Sequence, residues 1–180
     1  MTNRSKFVSV TRNSNFDEKG DLMTFNTKLF SGLTAAAFVA SSTIAMAEIT
    51  ARDADAVMKA MHDFGMVATM GEDSGGDPKI SSRLSDTKFS VYFYGCENNL
   101  NCASIMFKAG YDLNNGISAL KINEWNRDKR FAKAYIDDEG DPFLEMDVNM
   151  AFDGLGNKNF ADDLDWWRLL VEDFEDFIEW

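Results

Sequence analysis

The chain has 180 residues, 45% of them hydrophobic, with fifteen Phe and a net charge of -12. That length and apolar content suit one globular domain and exclude a chain disordered by composition. The negative charge argues against nucleic-acid phosphates and against anionic lipid surfaces as partners.

Residues 1–22 are polar and show no periodic pattern. Met23 reads as the true start, which makes 1–22 a non-native extension. After Met23, Lys28 gives a short basic region, Leu29 to Ala40 an apolar stretch, and Ala45-Met46-Ala47 a small-residue cleavage pattern. These are the physical parts of a secretory signal peptide over residues 23–47. The apolar run is too short, and too interrupted by Ser and Thr, for a membrane span; a retained anchor is the alternative. Cleavage after Ala47 leaves a single domain, residues 48–180, with a net charge of -14. The expected location is the periplasm or the medium, with no stable membrane insertion after cleavage.

Thr50 is placed to cap a first helix running to Phe64, with Asp53 at its third position. Val57, Met58, Met61 and Phe64 form its apolar stripe and Gly65 ends it. Met66 to Met70 reads as a strand, and Asp73-Ser74-Gly75-Gly76-Asp77-Pro78 as a turn. Lys79 to Leu84 and Lys88 to Cys96 are the next strands. In the latter, Phe89, Val91 and Phe93 share one face, and Tyr92 and Tyr94 the other. Cys102 to Tyr111 is a fourth strand.

Cys96 and Cys102 are the only cysteines and flank the polar run Glu97-Asn98-Asn99-Leu100-Asn101. In an oxidising compartment a disulfide is expected, stapling a hairpin loop. Free or redox thiols remain an alternative, although the spacing is not that of a redox motif. A metal site would need further ligands, and His62 is the only histidine. No metal and no cofactor are expected.

Gly116 opens a second helix running through Leu120, Ile122 and Trp125 to about Asp128. Phe131 to Asp137 is a strand, Asp138 to Pro142 a turn, and Phe143 to Met150 a strand. Phe143, Glu145 and Asp147 there alternate with Leu144, Met146 and Val148. Asp137-Asp138-Glu139-Gly140-Asp141 lacks the spacing of a calcium loop and reads as a hairpin turn. After a loop at 153–157, a long helix starts near Asn159. Its stripe is Phe160, Leu164, Trp167, Leu170, Phe174, Phe177 and Ile178. No internal repeat stands out. The order is α-β-β-β-β-α-β-β-α, an α+β fold with an antiparallel sheet packed by helices.

Several segments together resemble the YbjN family, small bacterial proteins named as regulators of sensory transduction. They are Phe64-Gly65-Met66, Tyr94-Gly95-Cys96, Cys102 to Phe107, Ile122 to Asn126, Lys129 to Asp137 and Gly140-Asp141-Pro142. The resemblance spans Ile49 to Phe177. It implies a fold similar to type III secretion chaperones, a protein or peptide partner, and a homodimer. It implies no catalytic activity.

Trp125, Arg127, Arg130, Tyr135 and Trp166 are the candidate partner contacts, because aromatics and Arg dominate binding hot spots. Each has a plainer reading. Trp125 and Asn126 suit a helix end, Asn126 as a left-handed cap. Arg127, Lys129 and Arg130 suit a solvated face with salt bridges. Trp166 suits either a cover for a sheet edge or an exposed anchor. Catalysis finds little footing, since a lone helical His62 does not make a nucleophile's base. The function expected is therefore an exported, non-enzymatic protein-binding or chaperone-like module. A small periplasmic ligand-binding protein or hydrolase on the same scaffold is the alternative.

Overall fold

A computed structural model describes residues 48–180. The proposed extension at 1–22 and signal peptide at 23–47 lie outside the described residues. Three helices and eight strands follow one another as β1 (Glu48–Ile49), α1 (Ala54–Phe64), β2 (Ala68–Glu72), β3 (Pro78–Leu84), β4 (Thr87–Tyr94) and β5 (Ser104–Gly110), then α2 (Ala119–Asp128), β6 (Lys133–Ile136), β7 (Pro142–Asn149), β8 (Leu155–Gly156) and α3 (Asn157–Ile178). The expected α+β fold is present. The main sheet is antiparallel throughout, in the order β2-β3-β4-β5-β7-β6. β1 and β8, which the hydropathy pattern is too short to reveal, pair with each other.

Strand periodicity decides which face is buried. Ile80, Phe89, Val91, Phe93, Ile105, Phe107, Ala109, Ala134, Leu144 and Met146 point to one side and join the helices in one core. Trp167 of α3 sits 5.7 Å from Phe89 and 5.5 Å from Phe107, ring to ring. Phe174 of α3 packs at 4.8 Å on Trp125 of α2 and at 5.4 Å on Tyr111. The α3 stripe is buried as expected, with Val171 added and Phe177 only half-buried.

Helix boundaries follow capping chemistry more than hydropathy. The cap of α1 is Asp53, not Thr50: its side chain accepts from the Ala56 N–H, while the Thr50 carbonyl accepts from the Asp53 N–H in a preceding turn. Likewise α2 starts at Ala119 under a Ser118 cap, not at Gly116. β6 begins at Lys133 rather than Phe131, because Phe131 lies at φ 71°, where no strand continues.

Cys96 and Cys102 are joined in a disulfide across a loop in which Asn98, Asn99 and Asn101 all take positive φ, a conformation asparagine tolerates. A loop this short should gain about 2 kcal/mol from the crosslink. The two edge hairpins share a turn that composition alone leaves unremarked, D-x-x-G-D-P at Asp73–Pro78 and again at Asp137–Pro142. In each, the first Asp carboxylate accepts two backbone N–H bonds, and the Gly takes φ 87° or 91°.

The β6 edge of the sheet is closed by a side chain. Asn126 in α2 donates to the Ala134 carbonyl at 2.9 Å and accepts from the Ala134 N–H at 2.8 Å. Its amide thus stands in for a neighbouring strand, one way natural sheets blunt an edge. Asn126 is not a left-handed cap; the helix runs two residues further to an extended Lys129. Asn126→Ala removes both bonds and should cost about 2 kcal/mol in urea unfolding. A loss below about 0.5 kcal/mol, the range of an ordinary surface substitution, would show the clamp to be dispensable.

Candidate functional site

All three helices pack on one face of the sheet, so among the described residues the other face is left to solvent. Register arranges its side chains in three main rows that cross the strands, with Tyr94, Ser104 and Asn149 beyond them at one end. The middle row is Thr69, Ser81, Ser90, Lys108, Glu145 and Lys133, one residue from each strand. On one side of it run Lys79, Tyr92, Met106 and Asp147. On the other side are Arg83 and Lys88 at one end, and Gly110, Phe143 and Tyr135 at the other. A shallow depression of about 290 Å³ lies among Ser81, Lys88, Ser90, Tyr92, Lys108 and Phe143.

Five cations, Lys79, Arg83, Lys88, Lys108 and Lys133, share this face with two carboxylates, Glu145 and Asp147. The face is therefore positive on a protein whose overall charge is strongly negative. α3 on the opposite side has seven carboxylates against Lys158 and Arg168.

The β5-β7-β6 half of the face is internally satisfied. Glu145, only 7% exposed, receives Lys108 at 3.1 Å and Lys133 at 3.2 Å. Lys133 also reaches Asp147 at 3.4 Å. The Lys108 ammonium hydrogen-bonds the Tyr135 hydroxyl and lies over the Tyr135 and Phe143 rings, which stack 5.4 Å apart. Gly110 makes this possible, since a Cβ there would run into the Phe143 ring. Burial alone would push the Glu145 carboxyl up, but the bonds from Lys108, Lys133 and Tyr135 outweigh it and hold it below its ordinary value. Burial would lower Lys108, and its bonds to Tyr135 and Glu145 raise it instead.

Of the five contacts expected from sequence, only Tyr135 lies on this face. Trp125 is 1% exposed and packs against Phe174 and Phe177, so it supports the core and offers nothing to a partner. Arg127 is tied to Asp128 at 2.8 Å, and Lys129 to Asp173 at 2.6 Å. Arg130 lies over the exposed Phe131 ring, which itself packs at a tilt on Trp166, 4.9 Å between centroids. Arg130 and Trp166 therefore form a separate corner at the α2–β6 turn. The sheet-face residues were legible as the polar half of each strand's alternation, but one strand at a time does not show that they line up.

A second cleft, about 670 Å³, opens between the start of α1 and the disulfide loop. Two of its polar side chains are already engaged: Asp53 caps α1, and Asn99 donates to the Gly75 carbonyl and the Asp77 carboxylate. Among the described residues no cluster of His, Cys, Asp or Glu is placed to hold a metal ion.

This arrangement is a surface suited to binding, carried by one family domain. Residues 53–180 match the family model YbjN, described as "Putative bacterial sensory transduction regulator". The chain belongs to the YbjN family. No curated protein matches it. The family description speaks of regulation and names no reaction, and the YbjN domain here presents its polar chemistry on an open sheet instead of in a closed pocket.

The Glu145 network predicts an acid response. Because the folded carboxyl titrates below its ordinary 4.5, ionised Glu145 stabilises the fold above that pH, and the stability is lost as pH falls through the lowered value. Glu145→Gln should cost about 1–2 kcal/mol at neutral pH and converge with the wild type as pH falls through the lowered value. A gap between the two unfolding curves that stays constant from neutral pH down into the acid range, well below the ordinary 4.5, would contradict this linkage.

Proposed function

We propose that this YbjN protein is an exported, non-enzymatic binding module that holds a partner protein on the open face of its sheet. A regulatory role then consists in retaining or releasing that partner. The carrying observation is the uncovered face itself, with Tyr92 and Tyr94 on the strand of the unpaired Lys88 and Tyr92 beside the unpaired Lys79, and Tyr135 and Phe143 around Lys108. Six strands at about 4.8 Å spacing and about seven residues of strand length give roughly 600 Å². That is close to one side of a standard interface, about 800 Å². Aromatic rings among cations are the composition of a binding hot spot.

Export rests on the charged, apolar and small-residue sequence of residues 23–47, and the Cys96–Cys102 disulfide is consistent with an oxidising compartment. The chaperone-like fold implied by the family resemblance adds support, since proteins of that fold commonly bind other proteins. Catalysis is left out of the proposal. His62 sits against the Ala68 carbonyl at 3.0 Å, and Glu145 is closed into its own salt bridges.

Two measurements test the reading. The mature N-terminus of protein recovered from the periplasm or medium should be Glu48. A photo-crosslinking residue at Tyr92 should give a discrete protein adduct in the native host, and one at Leu120, 79% exposed on α2, should not. Adducts of equal yield at both positions, or only at Leu120, would reject the sheet face as the docking surface.

A further inference from the structure

The positive charge of the open face is concentrated in its β3–β4 half. Lys108 and Lys133 are matched by Glu145 and Asp147 across β5, β7 and β6. Lys79, Arg83 and Lys88 are not matched. Among the described residues Lys79 and Lys88 form no ion pair, and Lys79 lies 5.2 Å over the Tyr92 ring. Arg83 donates to the Ser85 carbonyl at 3.1 Å, and its only ion pair is with Asp86 at 3.9 Å, with both groups exposed, a pairing of little energetic weight.

Arg83 and Lys88 are direct cross-strand partners. Like charges in that position repel and destabilise a sheet. The protein has 30 carboxylates for 18 cations, so acidic residues are abundant in its composition. Two cations nevertheless face each other here, beside the Ser81–Ser90 hydroxyl pair and the depression next to it. Such an arrangement lowers the stability of the free protein and gains it back when an anion binds.

Spacing indicates the form of that anion. Lys79 and Arg83 stand on the same face of one strand, four residues apart, about 13 Å at strand rise. Carboxylates on alternate residues of an extended chain recur about every 6.8 Å, so every second one falls at about that interval. The serine hydroxyls between the cations can donate to the same carboxylates. Tyr92 offers an apolar surface for the intervening residues. A long polyanion such as nucleic acid fits less well, because the rest of the protein is negative and repels a continuous phosphate chain.

We infer that the β3–β4 half of the face is a subsite for an extended, acidic segment of the partner protein, read by Lys79, Arg83 and Lys88. This rests on the binding role proposed above and specifies its chemistry.

The test uses the mature protein and a fluorescent synthetic peptide alternating glutamate and threonine. Its controls are the same peptide with glutamine for glutamate, and a thymidine oligonucleotide of equal length. The glutamate peptide should bind about tenfold more tightly than the glutamine peptide, the scale of one charge-assisted contact. Arg83→Gln and Lys88→Gln should each weaken it severalfold, while Lys59→Gln on α1 leaves it unchanged. The two face variants should also melt no lower than the wild type, because each removes the repulsion, a result that rules out unfolding as the cause of lost binding.

Equal affinity for the glutamine peptide, or tighter binding of the oligonucleotide, would overturn the inference. So would a wild-type dimer that Arg83→Gln dissociates, which would place a second copy's acidic α3 on this surface. If crosslinks from Tyr92 reach a partner but the glutamate peptide does not compete, the acidic chemistry fails and the docking face stands. If the peptide binds but no crosslink forms at Tyr92, the subsite stands and the wider docking reading fails.

Discussion

The contact on which the rest of the molecule depends is Trp167 of α3 resting on Phe89 and Phe107 at the centre of the sheet. Large aromatic side chains contribute most per residue to burial, about 1.5–3 kcal/mol for a ring the size of Phe. Trp167 and Trp125 bury their indole N–H groups with no acceptor among the described residues, at about 1–3 kcal/mol each. Ring packing has to exceed that cost, and it does so only where α3 lies squarely on the sheet. Once α3 is docked, strand periodicity sends every second residue to the far side.

That far side is therefore a consequence of core formation, while its composition is not. A sheet face left to water needs only polar side chains. Half of this one is a closed set in which Lys108, Lys133, Glu145, Tyr135 and Phe143 satisfy one another. The other half sets Arg83 against Lys88. Core packing and sheet hydrogen bonding both leave these two positions free. Local stability would favour a carboxylate at one of them.

How much of this the sequence disclosed depends on the range of the interaction concerned. The order of the principal elements was legible because period-two and period-3.6 patterns are local, as in Phe89-Val91-Phe93 and in Phe160-Leu164-Trp167. The disulfide was legible because two cysteines in one short loop have a single pairing. Boundaries shifted where one hydrogen bond decides them, as with Asp53 and Ser118. The paired D-x-x-G-D-P turns were readable from sequence as a short repeated motif, easily passed over beside longer-range self-similarity. The rows on the open face were not legible, since register between distant strands sets them: Lys108 and Glu145 are neighbours only because β7 lies beside β5.

The segment from Trp125 to Phe131 shows the same division within a few residues. Its residue types suggest a contact surface, yet most of them serve construction. Trp125 fills the core, Asn126 closes the β6 edge, and Arg127 and Lys129 pair with Asp128 and Asp173. Phe131 then takes a backbone conformation unfavourable for a bulky residue, at a cost of about 1–3 kcal/mol. Packing on Trp166 and beneath Arg130 offsets part of that cost. The conformation reverses the chain sharply enough to lay β6 beside the Asn126 amide, eight residues from Ala134. The strain is thus accounted for by the edge clamp, and it does not by itself require a ligand. The Arg83–Lys88 pairing is offset only by the exposed Asp86 contact and the Ser85 carbonyl, so it, unlike the Phe131 turn, is not accounted for by the construction of the fold.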